Sequence, residues 1–386
     1  MSESKELTEA IKGLYTTNLG VKKDERILVF TDIPSPDEDI AERERVRRER
    51  LPGLARMVAD VGKELCQMDF LTYPSLKGHG VEPPREVWLA AFGLRVVEEM
   101  DQRGLLERVL AKDTDLSYTK EVDEIVKRHK GEAVNAVIAL SNFSTSHTRF
   151  RDLLTRYCGT RYASMPLFEE DMFYGPMRVD WERLARRSNA LAEVLNRGRA
   201  VFVTAPKGTE LEMSIEGRKV YADTGVLTKP GAFGNVPAGE VCLAPVEGST
   251  NGRLVLEWAP THKLGSTVTL EIEKGMVKGV RGEDPYARWL EDTLNKNQDF
   301  RNIAELGIGT NDRARRPDNI LESEKILGTI HIALGDNSSF GGNVRTPFHQ
   351  DYVVFKPTVD VRDGGVRRVL EGGRLIYSCE LLEARG

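Results

Sequence analysis

The feature that most constrains this chain is a change of texture near residue 199. Up to that point, short apolar runs alternate with longer stretches of helical period. Residues 25–32 read as a strand with a polar exit, and 65–73 as a second strand. Between them, Pro36, Asp37 and Glu38 open a long helical stretch, with Asp37 placed as its N-cap and Ile40, Leu51, Leu54, Met57, Val58 and Val61 as its apolar positions. Residues 94–109 are helical in pattern, 136–140 form a short buried strand, a helix follows from Thr148, and another spans 181–195. This alternation predicts an α/β layer with mostly parallel strands. Beyond 199 the runs at 200–204, 211–215, 220–222, 254–257, 267–272 and 276–280 are strand-like and separated by Gly and polar turns. One helix, 285–294, interrupts them, and the chain from Tyr352 onward is again β-like, with turns at Gly364-Gly365 and Gly372-Gly373. The expected organisation is an α/β N-terminal domain over 1–198 and a β-rich α+β C-terminal domain over 199–386.

With 386 residues and a net charge of −5, two domains are expected and a strongly basic face is not, which argues against nucleic acid as a partner. The charge run at 42–50 interleaves both signs and reads as a solvated helix face. No apolar run approaches a membrane span, and the polar N-terminus has no secretory h-region, so a cytoplasmic protein is expected. Cys66, Cys158, Cys242 and Cys379 are far apart, with no CxxC, so reduced thiols are expected rather than a disulfide framework or zinc ribbon. Residues 307–312 begin like a dinucleotide fingerprint but end in Asp312; the P-loop, HExxH and GxSxG motifs are missing. The polar loop 141–147 follows a strand, where open α/β sheets bind ligands, which makes Ser144 and His147 weak contact candidates.

The chemistry concentrates in histidines and carboxylates after residue 235. His79, His129 and His262 lie in loops or a basic helix end and carry little signal. His331 sits in an apolar strand pattern, on the face opposite Ile330 and Ile332. His349 and Asp351 are one residue apart, so in a strand both project from one face, as half of a divalent-cation site. Glu240 and Glu305 each lie in an apolar, Gly-flanked segment, where a carboxylate is costly unless paired, protonated or metal-bound.

The order Pro-Ala-Gly-Glu (237–240), Ala-Pro-Val-Glu-Gly-Ser (244–249), Ala-Glu-Leu-Gly-Ile-Gly (304–309), His-Ile-Ala-Leu-Gly (331–335) and His-x-Asp (349–351) resembles the M29 aminopeptidases, the aminopeptidase T and S group of thermophilic metalloproteases. The resemblance covers about residues 200–386. It implies two divalent ions (zinc, cobalt or manganese) held by Glu240, Glu305, His331, His349 and Asp351. Glu305 would be the catalytic carboxylate nearest the attacking water, as bridge or general base. The implied protein is a homodimeric hydrolase acting on N-terminal residues of peptides or a related small molecule. Glu247 is a weaker candidate, either behind the ligands or a plain loop carboxylate. Two departures stand out. The family's tyrosine position is Ser338 here, with Tyr352 the only nearby substitute, and the loop from His331 to His349 is short. The same fold family includes 2,5-dihydroxypyridine dioxygenases, in which His331, His349 and Asp351 would hold one Fe(II); the presence of both Glu240 and Glu305 favours the dinuclear site over this alternative. A non-catalytic metal-binding relative is the third reading.

Overall fold

The computed structural model describes residues 3–113 and 115–376. The chain divides into two compact units, one running to Met177 and including Gly225–Val236, the other made of Arg178–Thr224 and the chain from Pro237 onward. Cys379, and the last residues of the β-like C-terminal stretch, lie outside the described residues.

In the first unit five parallel strands lie in the order Gln67–Pro74, Arg26–Ile33, Ala136–Ala139, Arg161–Ser164 and Phe233–Asn235. Ala136–Ala139 and Arg161–Ser164 are buried throughout, as strands covered on both faces must be. Leu28, Phe30, Val137 and Tyr162 pack with Trp88, Phe92 and Phe150 from the helices. The helix joining the first two strands runs Glu42–Gly62, later than the sequence pattern suggested. Its N-cap is Ala41, without a side-chain cap, and Asp37, four residues earlier, pairs with Lys77. Nor is its charge run wholly solvated: Arg48 is 2% exposed and pairs with Glu38 and with Asp32, which is 1% exposed. The expected 94–109 helix is two, Leu94–Gln102 and Leu105–Leu110, broken at Gly104 with φ 64°.

The second unit stacks two antiparallel sheets. The larger has eight strands, in the order Met276–Arg281, His262–Glu273, Asn251–Ala259, Glu210–Ser214, Ala200–Thr204, Thr358–Arg362, Val366–Glu371 and Arg374–Leu375. The smaller orders His349–Val354, Ile330–Gly335, Ile303–Gly309, Glu240–Leu243 and Tyr221–Asp223. Val201, Val203, Leu254 and Leu256 of the larger sheet share one core with Val241, Leu306, Ile308, Ile330, Ile332 and Tyr352 of the smaller.

The helix Trp181–Arg197, capped by the Asp180 carboxylate on the Arg183 N–H, sends Leu191, Val194 and Leu195 into that same core. For that reason the unit boundary falls at 177/178, whereas the sequence texture placed it at 198/199. Residues 225–236 return to the first unit because Phe233–Asn235 adds to its parallel sheet beside Arg161–Ser164. Among the described residues no helix is long and apolar enough to cross a membrane.

Candidate metal centre

The smaller sheet of the second unit has an apolar face and a chemical one. Residues directly opposite in an antiparallel pair share a face, and alternate residues of one strand do too. Glu305 lies opposite Ala333, and Ala333 opposite Asp351. Gly307 lies opposite His331 and Cys242, Gly309 opposite Glu240, and Gly335 opposite His349. All five sequence-selected residues therefore share one face, interleaved with Gly307, Gly309, Ala333 and Gly335, which leave room for them. The opposite face supplies Leu306, Ile308, Ile332, Tyr352 and Val354 to the core.

The side chains converge. His331 Nε2 is 3.3 Å from Glu240 Oε2 and 3.5 Å from Glu305 Oε1. His349 Nε2 is 3.4 Å from Glu305 Oε2 and 3.6 Å from Asp351 Oδ2. Glu305 thus faces both imidazoles. Glu240, Glu305 and His331 are buried, while His349 and Asp351 at the strand end are half-buried.

Burial alone would push the Glu305 carboxyl up, but hydrogen bonds and charge from His331 and His349 outweigh it and hold it below the usual carboxylate range. Burial would lower His331, yet Glu305, Glu240 and Asp351 raise it to about 9. His349 is raised well above its ordinary value, against burial, chiefly by Asp351 and then by Glu305. Positive charge belongs between these groups, and a metal ion meets that requirement as protons do.

The donor set fits a divalent cation on two further counts. Glu240 Oε2 and Asp351 Oδ1 are buried oxygens without a hydrogen-bond partner. The His349 Nδ1–H donates to the Asp336 carbonyl at 2.8 Å, which leaves Nε2 as the lone-pair nitrogen facing the carboxylates. Cys242, also on this face, is pushed up by burial and by the neighbouring Glu305 and Glu240, so it stays a neutral thiol. Among the described residues, two groups have ligand atoms mutually within 4.8 Å: Glu305, His331 and Asp351, and Glu240, Glu324 and His331. Glu324 escaped the sequence reading, as did Lys325, whose Nζ is 2.9 Å from Glu240 Oε1 and also contacts Glu324. An acidic residue next to a lysine after a short helix carries no distinguishing pattern.

The loop after Gly335 orients His349. Phe340 stacks on its imidazole, with ring centres 5.7 Å apart. Asn337, fully buried, donates from Nδ2 to Glu247 Oε1 at 2.9 Å and accepts on Oδ1 from the Val344 N–H at 2.8 Å. Glu247 also accepts from the Asn343 N–H at 2.7 Å and pairs with Arg218. It therefore anchors the loop and takes no place among the converging donors. Glu247→Ala is expected to lower stability by about 1–3 kcal/mol, because Arg218 and Asn337 lose their acceptor. It should also weaken metal affinity about tenfold by loosening the support of His349; urea unfolding and metal titration check the two effects.

Neither residue considered for the missing tyrosine enters the centre. Ser338 is exposed and donates to Asp336 Oδ1 at 2.9 Å. Tyr352 is turned into the core on the opposite face, its hydroxyl 2.9 Å from that of Tyr286. In the first unit, the Ser144 N–H donates to His79 Nδ1 at 3.0 Å and its hydroxyl meets that of Ser146, so the loop is tied internally; His147 is exposed.

Comparison with known proteins gives three findings. A family model described as NicX, 2,5-dihydroxypyridine 5,6-dioxygenase, matches residues 177–376. A 2,5-dihydroxypyridine 5,6-dioxygenase of Pseudomonas putida KT2440 is 26% identical over 182 residues, 43% of this chain and 52% of the relative, so the match spans about half the relative's length. Among solved structures, the 2,5-dihydroxypyridine dioxygenase from Pseudomonas putida KT2440 superposes with a TM-score of 0.69 at 18% identity, over 97% of this chain and 98% of that one. Wild-type AmpT from Thermus thermophilus superposes with a TM-score of 0.58 at 15% identity, over 97% and 100%. At these identities the two structures show the fold alone. That fold is the M29-like one expected from the sequence, a mixed α/β chain with a parallel sheet and an antiparallel β-rich region.

Proposed function

We propose, from the premise that this chain belongs to the NicX family of 2,5-dihydroxypyridine 5,6-dioxygenases, that it opens a dihydroxylated pyridine ring with dioxygen at a single Fe(II) centre. The observation that carries the reading is the convergence of the His331 and His349 Nε2 atoms with Asp351 and Glu305 on one cleared sheet face. Two imidazoles and a carboxylate are the donor set of non-haem Fe(II) oxygenases.

The expectation of a dinuclear metallo-aminopeptidase is corrected here. The family match and the curated relative make the protein an enzyme of the dioxygenase family, and the hydrolase, protease and aminopeptidase assignments fall with that. The error has a physical source. Glu240 and Glu305 read as favouring two metals, yet the chain that carries all five residues matches the dioxygenase family, so their order in the sequence does not separate the two activities. The two departures, Ser338 in the tyrosine position and the short loop, are the features that already stand against a peptidase.

In this reading His331, His349 and Asp351 hold the iron. Glu305 lies against both imidazole nitrogens as a further carboxylate donor. Glu240 is engaged by Lys325 and stands aside. When bound, the iron would supply the activation of dioxygen and of the ring hydroxyl. The Asp336 carbonyl holds the His349 tautomer, and Phe340 packs the imidazole against movement. Both oxygen atoms of dioxygen end in the opened product, so no separate reductant is consumed.

Anaerobically purified protein loaded with Fe(II) is expected to carry about one iron per chain and to consume one dioxygen per 2,5-dihydroxypyridine, with loss of the ring's ultraviolet absorbance. Iron-loaded protein that consumes no oxygen with 2,5-dihydroxypyridine or other dihydroxypyridines would remove this reading.

A further inference from the structure

We propose that the Lys325 ammonium fills the place of a second cation, so that its charge sets the number of metal ions in this centre at one. The inference rests on the iron reading above and deepens it. The described residues form two overlapping three-residue donor groups that share His331. In one of them, Glu240 and Glu324 both already meet Lys325 Nζ.

The ammonium cannot leave. Lys325 has no exposure to solvent. Its backbone is held on both sides, with its carbonyl accepting from the Asn311 N–H at 2.9 Å and its own N–H donating to the Glu322 carbonyl at 3.0 Å. A divalent ion on Glu240, Glu324 and His331 would have to share both carboxylates with that buried positive charge, and like charges at such range repel strongly in a protein interior. His331 also has a single nitrogen, Nε2, turned toward the carboxylates, between Glu240 at 3.3 Å and Glu305 at 3.5 Å. With Lys325 occupying the Glu240 side, that nitrogen is left to the ion on the Glu305, His349 and Asp351 side.

Removing the ammonium inverts the situation. Glu240 and Glu324 become buried carboxylates without a cation, a state that a second divalent ion relieves. The test is an anaerobic Mn2+ titration with bound metal counted by elemental analysis, on folded protein verified by circular dichroism. Wild type is expected to bind one equivalent and Lys325→Met two. The double variant Glu324→Gln with Lys325→Met, which lacks a ligand of the second group, should return to one.

If Lys325→Met folds only with metal present, its thermal stabilisation should saturate at two equivalents. Saturation at one equivalent, or a protein that stays unfolded at every Mn2+ concentration, overturns the inference. A folded Lys325→Met protein holding one ion also overturns it and leaves the single-ion centre standing. A wild-type protein that takes up no ion overturns the metal reading and this inference together.

Discussion

Gly307→Ala is expected to abolish metal binding in a protein that still folds. Gly307 lies directly opposite His331 in the sheet, and a Cβ there would sit 2.0 Å from both Nε2 and Cε1 of the imidazole. The ring has nowhere to go on its own face, since Cys242 flanks Gly307 on the other side and the strands Ile303–Gly309 and Ile330–Gly335 are buried throughout. His331 must therefore leave its position. The cost in stability is that of overpacking a core, about 1–3 kcal/mol. The cost in metal affinity exceeds the 10- to 100-fold typical for groups that merely support a ligand. A metal titration beside a thermal melt reads both. Wild-type affinity in the Gly307→Ala protein would show that His331 holds no metal.

The second large effect is expected at His349. His349→Ala removes a ligand nitrogen from the half-buried beginning of the strand His349–Val354, where truncation leaves little cavity. The metal-free protein should lose about 1–3 kcal/mol, because buried Glu305 loses one of its two imidazole partners, while bound iron falls from about one per chain toward zero and oxygen consumption falls with it. Iron analysis after anaerobic desalting, compared with unfolding of the metal-free protein, separates the two. Full iron retention would show that His349 holds no metal and leave the ion to Glu305, His331 and Asp351.

The two substitutions act through different kinds of information. The placement of His349 and Asp351 on one face could be read from their spacing, because the strand repeat of two is a property of a few consecutive residues. The helix Pro285–Leu294 was legible for the same reason, with Asp284 as its cap and Pro285 at its first turn. The break at Gly104 was not, because the apolar period continues across it. The need for glycine at position 307 could not be read either. Gly307 meets His331 only through the register between two strands, and register is a long-range choice.

What the sequence by itself determined is the local content of this protein: an alternating α/β portion followed by a β-rich one, and five metal-competent side chains on strands of the second. Those properties follow from periodicity and from the cost of burying unpaired carboxylates. The tertiary structure decided the rest. It returned residues 225–236 to the parallel sheet of the first unit and moved the helix Trp181–Arg197 into the second. It aligned Glu305, Ala333 and Asp351 in one row across three strands. It also brought Lys325 to Glu240 across 85 residues of chain, giving the centre a cation of its own. The physical reason is that pairing between distant segments depends on which partners bury the most apolar surface together, and no window of neighbouring residues contains that comparison.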